Sequence, residues 1–212
     1  MKFVLFVEGH TEKALPPFLK KWLDPRLAEK SVDPVGINTV RFEGWREFVK
    51  NASQKASMHL NRSANDVIAV IALLDLYGPT FYPDELTEYE ARYEWARKHM
   101  EDKVNDPRFF QFFAVHEVEA WLLSDPNIFP REVRVAFPAK IHWPETVNFD
   151  EPPAKLLERL YPLHVRRPYK KVVNGRELFG KLDPNIAYAK CPRLKELLDK
   201  MLTLAQGAAK TE

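Results

Sequence analysis

Four carboxylates stand where a fold could gather them: Glu8, Asp75, Glu117 and Glu119. Glu8 closes an apolar run from Lys2 to Val7, Asp75 closes the run Asp66 to Leu74 (DVIAVIALL), and the other two follow the run Phe109 to Val115. If each run is a strand of a parallel sheet, all four acids arrive at one edge, the carboxyl edge where such sheets bind ligands. Carboxylates gathered by a fold repel one another unless something positive compensates, and hard oxygen donors suit Mg²⁺ or Mn²⁺. The commonest use is phosphoryl transfer. A metal there would neutralise charge on phosphate oxygens and activate a water, while a spare carboxylate such as Glu119 could serve as general base.

Acids at strand-to-helix turns also act as caps and as partners of the helix dipole, a role that suits Glu12 better than a site. Glu8 divides evenly between the two roles, whereas Asp75, after a long apolar strand and before a turn, is placed more specifically. Glu117 and Glu119 are two residues apart, so on a helix only one of them would face the site. Two other patterns fail. His116-Glu117 begins an HExxH zinc motif, but Ala120 stands where the second histidine belongs. Gly9 has no glycine-rich loop around it and no Gly-Lys-Ser/Thr follows, which excludes a P-loop.

The elements that must position these acids alternate. After the first strand, Thr11 is placed to cap a helix that Pro16 and Pro17 start late or bend and that ends by Asp24-Pro25. Gly36 to Phe42 reads as a weaker strand. Trp45, Phe48, Val49, Ala52, Ala56 and Leu60 then recur at helical spacing. The run before Asp75 is the central strand. Past Gly78, Pro79 and Pro83, a helix opened by Asp84 and Glu85 carries Leu86, Tyr89, Tyr93, Ala96 and Met100 on one face. His116 to Leu123 follows the fourth strand as a helical segment. This order predicts an α/β fold with a mostly parallel sheet, right-handed crossovers and helices on both faces.

From Phe129 the texture changes. Prolines cluster at 130, 138, 144, 152, 153, 162 and 168, and only Ala154 to Leu160 and Arg193 to Leu204 read as firmly helical. The expectation is an α/β core over 1–128 and a proline-rich, mainly helical extension over 129–212, packed on the core as a cap, with a frayed tail from Gly207.

With 212 residues, 45% of them hydrophobic and 29% charged, the chain can bury a real core without staples. Cys191 is its single cysteine, which excludes an intrachain disulfide and multi-thiolate zinc and fits a cytoplasmic setting. The opening apolar run is too short for a signal and meets Glu8 at once, and no stretch reaches the roughly 20 apolar residues of a membrane span. A formal charge of +2 means that any nucleic-acid surface must be local. The densest basic stretch is His164, Arg166, Arg167, Tyr169, Lys170, Lys171 and Arg176, leading to Asn174-Gly175 as a tight turn. Arg166, Arg167, Lys170, Lys171 and Arg176 could hold a phosphate backbone, and Lys171, if folded over the carboxylates, could stabilise transition-state charge.

Taken in order, VEGHTE at 7–12, LLDLYG at 73–78, HEVEAWLLSD at 116–125 and the later YKK, LFGKLD and AKCP form a specific set. It resembles a domain-of-unknown-function family (DUF4276 type) placed among Toprim-like proteins. Toprim domains occur in topoisomerases, primases and nucleases linked to ATPases of the overcoming-lysogenization-defect type. The resemblance implies that Glu8 matches the Toprim glutamate and Asp75 the first aspartate of an Asp-x-Asp pair. Tyr77 replaces the second, and a phenol with a reference pKa of about 10 is a poor magnesium ligand. The resemblance implies a metal-dependent nuclease or related phosphotransferase with Mg²⁺ or Mn²⁺ as cofactor and Glu8 and Asp75 as ligands, to which the strand-end reading adds ligands borrowed from Glu117 or Glu119 in place of the second aspartate. It also implies a role beside an ATPase partner in anti-phage defence. The alternatives are a non-catalytic module that binds that ATPase or a nucleotide, and a surface including Trp95 and Trp143 that pairs two copies as a homodimer.

Overall fold

The structure, a computed structural model, describes residues 1–9, 14–62, 66–145 and 151–210. Four strands, β1 (Lys2–Val7), β2 (Gly36–Arg41), β3 (Val67–Asp75) and β4 (Phe109–Ala114), form one sheet in the order β2-β1-β3-β4. Every pairing is parallel, with Val7 opposite Leu73 and Asp75 opposite Ala114. The expected parallel α/β architecture is present, and so is the helical C-terminal part.

Strict alternation along the strands builds two cores. Phe3, Leu5 and Val7 of β1 and Ala69, Ile71 and Leu73 of β3 face one side; Val4, Phe6, Val70, Ala72 and Leu74 face the other. The second side is covered by α2 (Trp45–Arg62) and α3 (Tyr89–Val104), through Phe48, Ala52, Ala56, Leu60, Tyr93, Ala96 and Met100. Leu86 lies outside α3 and Tyr89 is exposed, because α3 starts at Tyr89 and not at Asp84.

The first side is covered by α1 (Leu15–Ala28), the short α4 (Glu119–Leu122) and α5 (Arg131–Arg134), then α6 (Pro153–Val165), α7 (Lys171–Lys181), α8 (Pro184–Lys190) and α9 (Pro192–Ala209). Pro25 does not end α1. A proline inside a helix costs about 3 kcal/mol, and burying Leu23 and Leu27 on either side, at about 1.5–3 kcal/mol each, outweighs it. Thr11 and Glu12, the expected cap and dipole partner of α1, lie outside the described residues.

Three expectations for the second half are corrected. Asn174-Gly175 is not a turn but lies inside α7: the Asn174 side-chain oxygen accepts from Lys170 N at 2.6 Å, capping the helix start, and Leu178 and Phe179 bury its face. The tail is helical to Ala209, because Met201 and Ala205 remain fully buried in the same core. The helix expected over His116 to Leu123 shrinks to α4. Among the described residues no helix is long and apolar enough to cross a membrane.

Candidate active site

The carboxyl edge of the sheet is shaped by how β3 and β4 end. They stay hydrogen-bonded past the strands, with Leu76 N donating to Ala114 O at 2.9 Å and Tyr77 N to His116 O at 3.1 Å. His116 then takes a left-handed conformation, φ 64°, one of the few non-glycine residues to do so. The reversal carries Glu117 ahead of α4, and Val118 N donates to Asp75 Oδ1 at 3.1 Å. Asp75, at the end of the central strand, is thereby tied to the chain that bears the other two acids.

Glu117 and Glu119 both reach Lys171. The Lys171 ammonium lies 3.1 Å from Glu117 Oε1 and 3.3 Å from Glu119 Oε2. Helical spacing does not keep the two acids apart, because Glu117 precedes the helix that begins at Glu119. Glu117 Oε2 also accepts from Ala154 N at 2.9 Å in the first turn of α6, and Glu119 is fully buried. Burial pulls the Lys171 pKa down, but Glu119, Asp75 and Glu117 together outweigh it and hold the lysine above its usual range. Lys171 is therefore a permanent cation at the sheet edge, unable to act as a base.

Two tyrosines complete the surroundings, and neither was marked as a site residue by spacing. Tyr82 donates to Leu76 O at 3.2 Å; burial raises its pKa, and Glu8 and Asp75 raise it further against Arg92. Glu8 and Asp75 thus bear on one phenol. Tyr169 is buried with no hydrogen-bond partner for its hydroxyl among the described residues, and its pKa is raised by burial, then by Glu119, Tyr161 and Glu117. Tyr77, standing where the resemblance expects an acid, is 58% exposed.

Of the basic stretch, Arg166, Arg167, Lys170 and Arg176 are exposed, while Lys171 turns inward to the acids. The loop joining α6 to α7 is consequently pinned beside the carboxylates. Among the described residues no three His, Cys, Asp or Glu side chains gather as a group able to hold a metal. Glu8 and Asp75 are the two acids of the edge that bear on Tyr82, while Glu119, Asp75 and Glu117 all act on Lys171. Two carboxylates fit the way Mg²⁺ is held when substrate oxygens and waters supply its other ligands.

Residues 7–202 match the family described as Domain of unknown function (DUF4276). The chain belongs to that family. No curated protein matches it. The fold of the DUF4276 chain is similar to that of the C-terminal region of the Burkholderia pseudomallei OLD protein, with a TM-score of 0.51 and 17% sequence identity. The likeness covers 96% of this chain and 98% of that one, so it takes in the α6 to α9 helices as well as the sheet.

Proposed function

We propose that the DUF4276 chain is a Toprim-like phosphoryl-transfer module, a nuclease that hydrolyses nucleic-acid phosphodiesters at the carboxyl edge of its sheet. The observation that carries this reading is the position of Asp75: Val118 N, between Glu117 and Glu119, donates to its Oδ1 at 3.1 Å, and those two acids hold Lys171 at 3.1 and 3.3 Å. The two halves of the edge are one electrostatic unit in which acids face a fixed cation.

Glu8 and Asp75 are the residues that would hold a Mg²⁺ or Mn²⁺. Such an ion supplies Lewis-acid stabilisation of the phosphate and a more acidic water. Lys171 holds a positive charge where the transition state gathers negative charge, and it needs no reorganisation because Glu117 and Glu119 fix it. Glu119, fully buried against that lysine, serves as its positioning residue, in place of the general-base role that spacing alone suggests. Arg166, Arg167, Lys170 and Arg176 are exposed and would take the flanking phosphates. The kinship in fold with an OLD C-terminal region supports pairing with an ATPase, as in an anti-phage effector.

A second reading, a non-catalytic module for that ATPase or a nucleotide, is favoured by exposed Tyr77 in place of the second acid. Hydrolysis separates the two. Glu8→Gln and Asp75→Asn are expected to melt within a few degrees of wild type, since the amide oxygen that replaces the Asp75 carboxylate still offers Val118 N an acceptor. Each is expected to lose about 100-fold or more of Mn²⁺-dependent cleavage of a labelled oligonucleotide. Wild type that cleaves nothing in Mn²⁺ or Mg²⁺ would leave the non-catalytic reading, and variants that cleave as fast as wild type would show that Glu8 and Asp75 are not the site.

A further inference from the structure

Beside the acid edge, on the α2–α3 side, lies a run of aromatic rings that the chemistry above does not use. Phe81 is its hub: its centroid is 6.1 Å from Trp45 and 6.0 Å from Trp95, and Trp95 stacks on His99 at 4.7 Å and 11°. Trp45, Phe81 and Trp95 are half-buried and His99 is exposed, so these rings close over the core on the α2–α3 side but keep surface open to solvent. The tier joins the acid edge through Tyr82, 4.6 Å from Phe81 and under the charges of Glu8 and Asp75. The residues directly before Trp45 line, together with Glu8, a cavity of about 340 Å³ bounded by Glu8, Gly9, Arg41, Phe42, Glu43 and Gly44. That volume lies at the lower end of the range for small-ligand sites, about 300–1,000 Å³. The Arg46 guanidinium lies over the face of the Trp45 ring, 4.7 Å from its centroid, a cation that an incoming base would share or displace.

We propose that this tier, with the cavity beside Glu8, is a stacking site for the unpaired bases of a single-stranded nucleic acid whose backbone crosses the carboxyl edge. The inference rests on the phosphodiester reading and adds its substrate class. Flat rings with an arginine among them suit bases whose faces are free, and a duplex offers none. At the cavity the Arg41–Glu43 pair, 3.9 Å apart, offers a carboxylate to an exocyclic amino group on a base edge and a guanidinium to a phosphate, with Arg46 beside Trp45 as a further cation, while Glu8 stays with the metal. Sequence-tolerant binding follows, because every base has a face to stack.

The test uses the full chain, a hydrolysis-resistant phosphorothioate oligonucleotide as a single strand, and the same strand annealed to its complement as a blunt-ended duplex. Trp45→Leu and Phe81→Leu keep apolar bulk but remove the ring. Each is expected to weaken single-strand binding about five- to a hundredfold, as the loss of one stacked base does, and to leave duplex binding unchanged. Trp45→Phe should bind as wild type. Arg166→Ala with Lys170→Ala should weaken both forms and flatten the salt dependence. Equal losses for both forms, or no loss, overturn the stacking site, as does a Leu variant that dissociates a dimer while binding the single strand normally. If cleavage still depends on Glu8 while Trp45→Leu binds as wild type, the stacking site alone is wrong. No oligonucleotide binding by wild type overturns both readings.

Discussion

Lys171→Met is expected to cost about 2–3 kcal/mol of stability and roughly 5–10 °C in Tm, read by thermal or urea unfolding at pH 7. The loss follows from Glu119, which is fully buried with the Lys171 ammonium 3.3 Å from its Oε2. Breaking a buried pair by removing one member costs about 3–5 kcal/mol, because an uncompensated charge is left behind. Lys171 is 37% exposed at its side chain, so water recovers part of that and the expectation sits below the full range. The double variant Lys171→Met/Glu119→Gln should regain most of the stability, since the buried charge is gone with its partner, while activity stays lost. That split between stability and activity distinguishes a cation fixed for chemistry from a plain structural bridge. A Lys171→Met protein as stable as wild type, or a double variant no better than the single, would show that the acids do not depend on this ammonium.

A second large effect lies away from the edge, at Glu145. Its side chain is only 2% exposed; Oε1 accepts from the Trp121 indole N–H at 2.6 Å and Oε2 from Arg193 N at 2.7 Å, tying α4 to the start of α9. Burial pushes its pKa up to about 7, against the hydrogen bonds that pull it down. The unfolded chain has a glutamate pKa of about 4.3, so folding favours the protonated form. The contribution is fully present below about pH 4.3, declines as pH rises, and is gone above about pH 7, when both states are ionised. The amount at stake is on the order of 3 kcal/mol. Glu145→Ala removes the titration and orphans both donors. It should therefore destabilise the protein more at pH 5 than at pH 8, by about that amount, in urea unfolding at both pH values. Equal destabilisation at the two pH values would mean that the carboxyl is ionised throughout.

The strands and their order along the chain were legible because a strand buried on both faces must be continuously apolar, and DVIAVIALL meets that demand over its whole length. Once those runs were strands, the acids after them had to share an edge. The C-terminal helices were legible only in part. Pro153 reads as a breaker when counted in the proline cluster, yet Pro153, like Pro184 and Pro192, sits in the first turn of a helix, where its missing N–H costs nothing and its fixed φ helps. The meeting of Lys171 with Glu117 and Glu119 depends on how α6 and α7 dock across more than 50 residues of chain, so spacing could offer Lys171 as a candidate but could not select it from its basic neighbours. Tyr82 and Tyr169 carry no periodic signal at all; their importance comes from burial beside charges. Tyr77, by contrast, was informative from sequence alone, because an absent acid can be read wherever a pattern leads one to expect it.

The most direct test of the edge as a phosphoryl-transfer site is a Mn²⁺ titration, followed by calorimetry or by loss of the free-ion resonance, with and without a phosphorothioate oligonucleotide. Wild type should bind Mn²⁺ weakly alone and at least about tenfold more tightly with the oligonucleotide present, because the phosphate supplies ligands that Glu8 and Asp75 do not. Glu8→Gln should lose both. Absence of saturable Mn²⁺ binding by wild type in either condition, or binding that Glu8→Gln leaves untouched, would contradict the site.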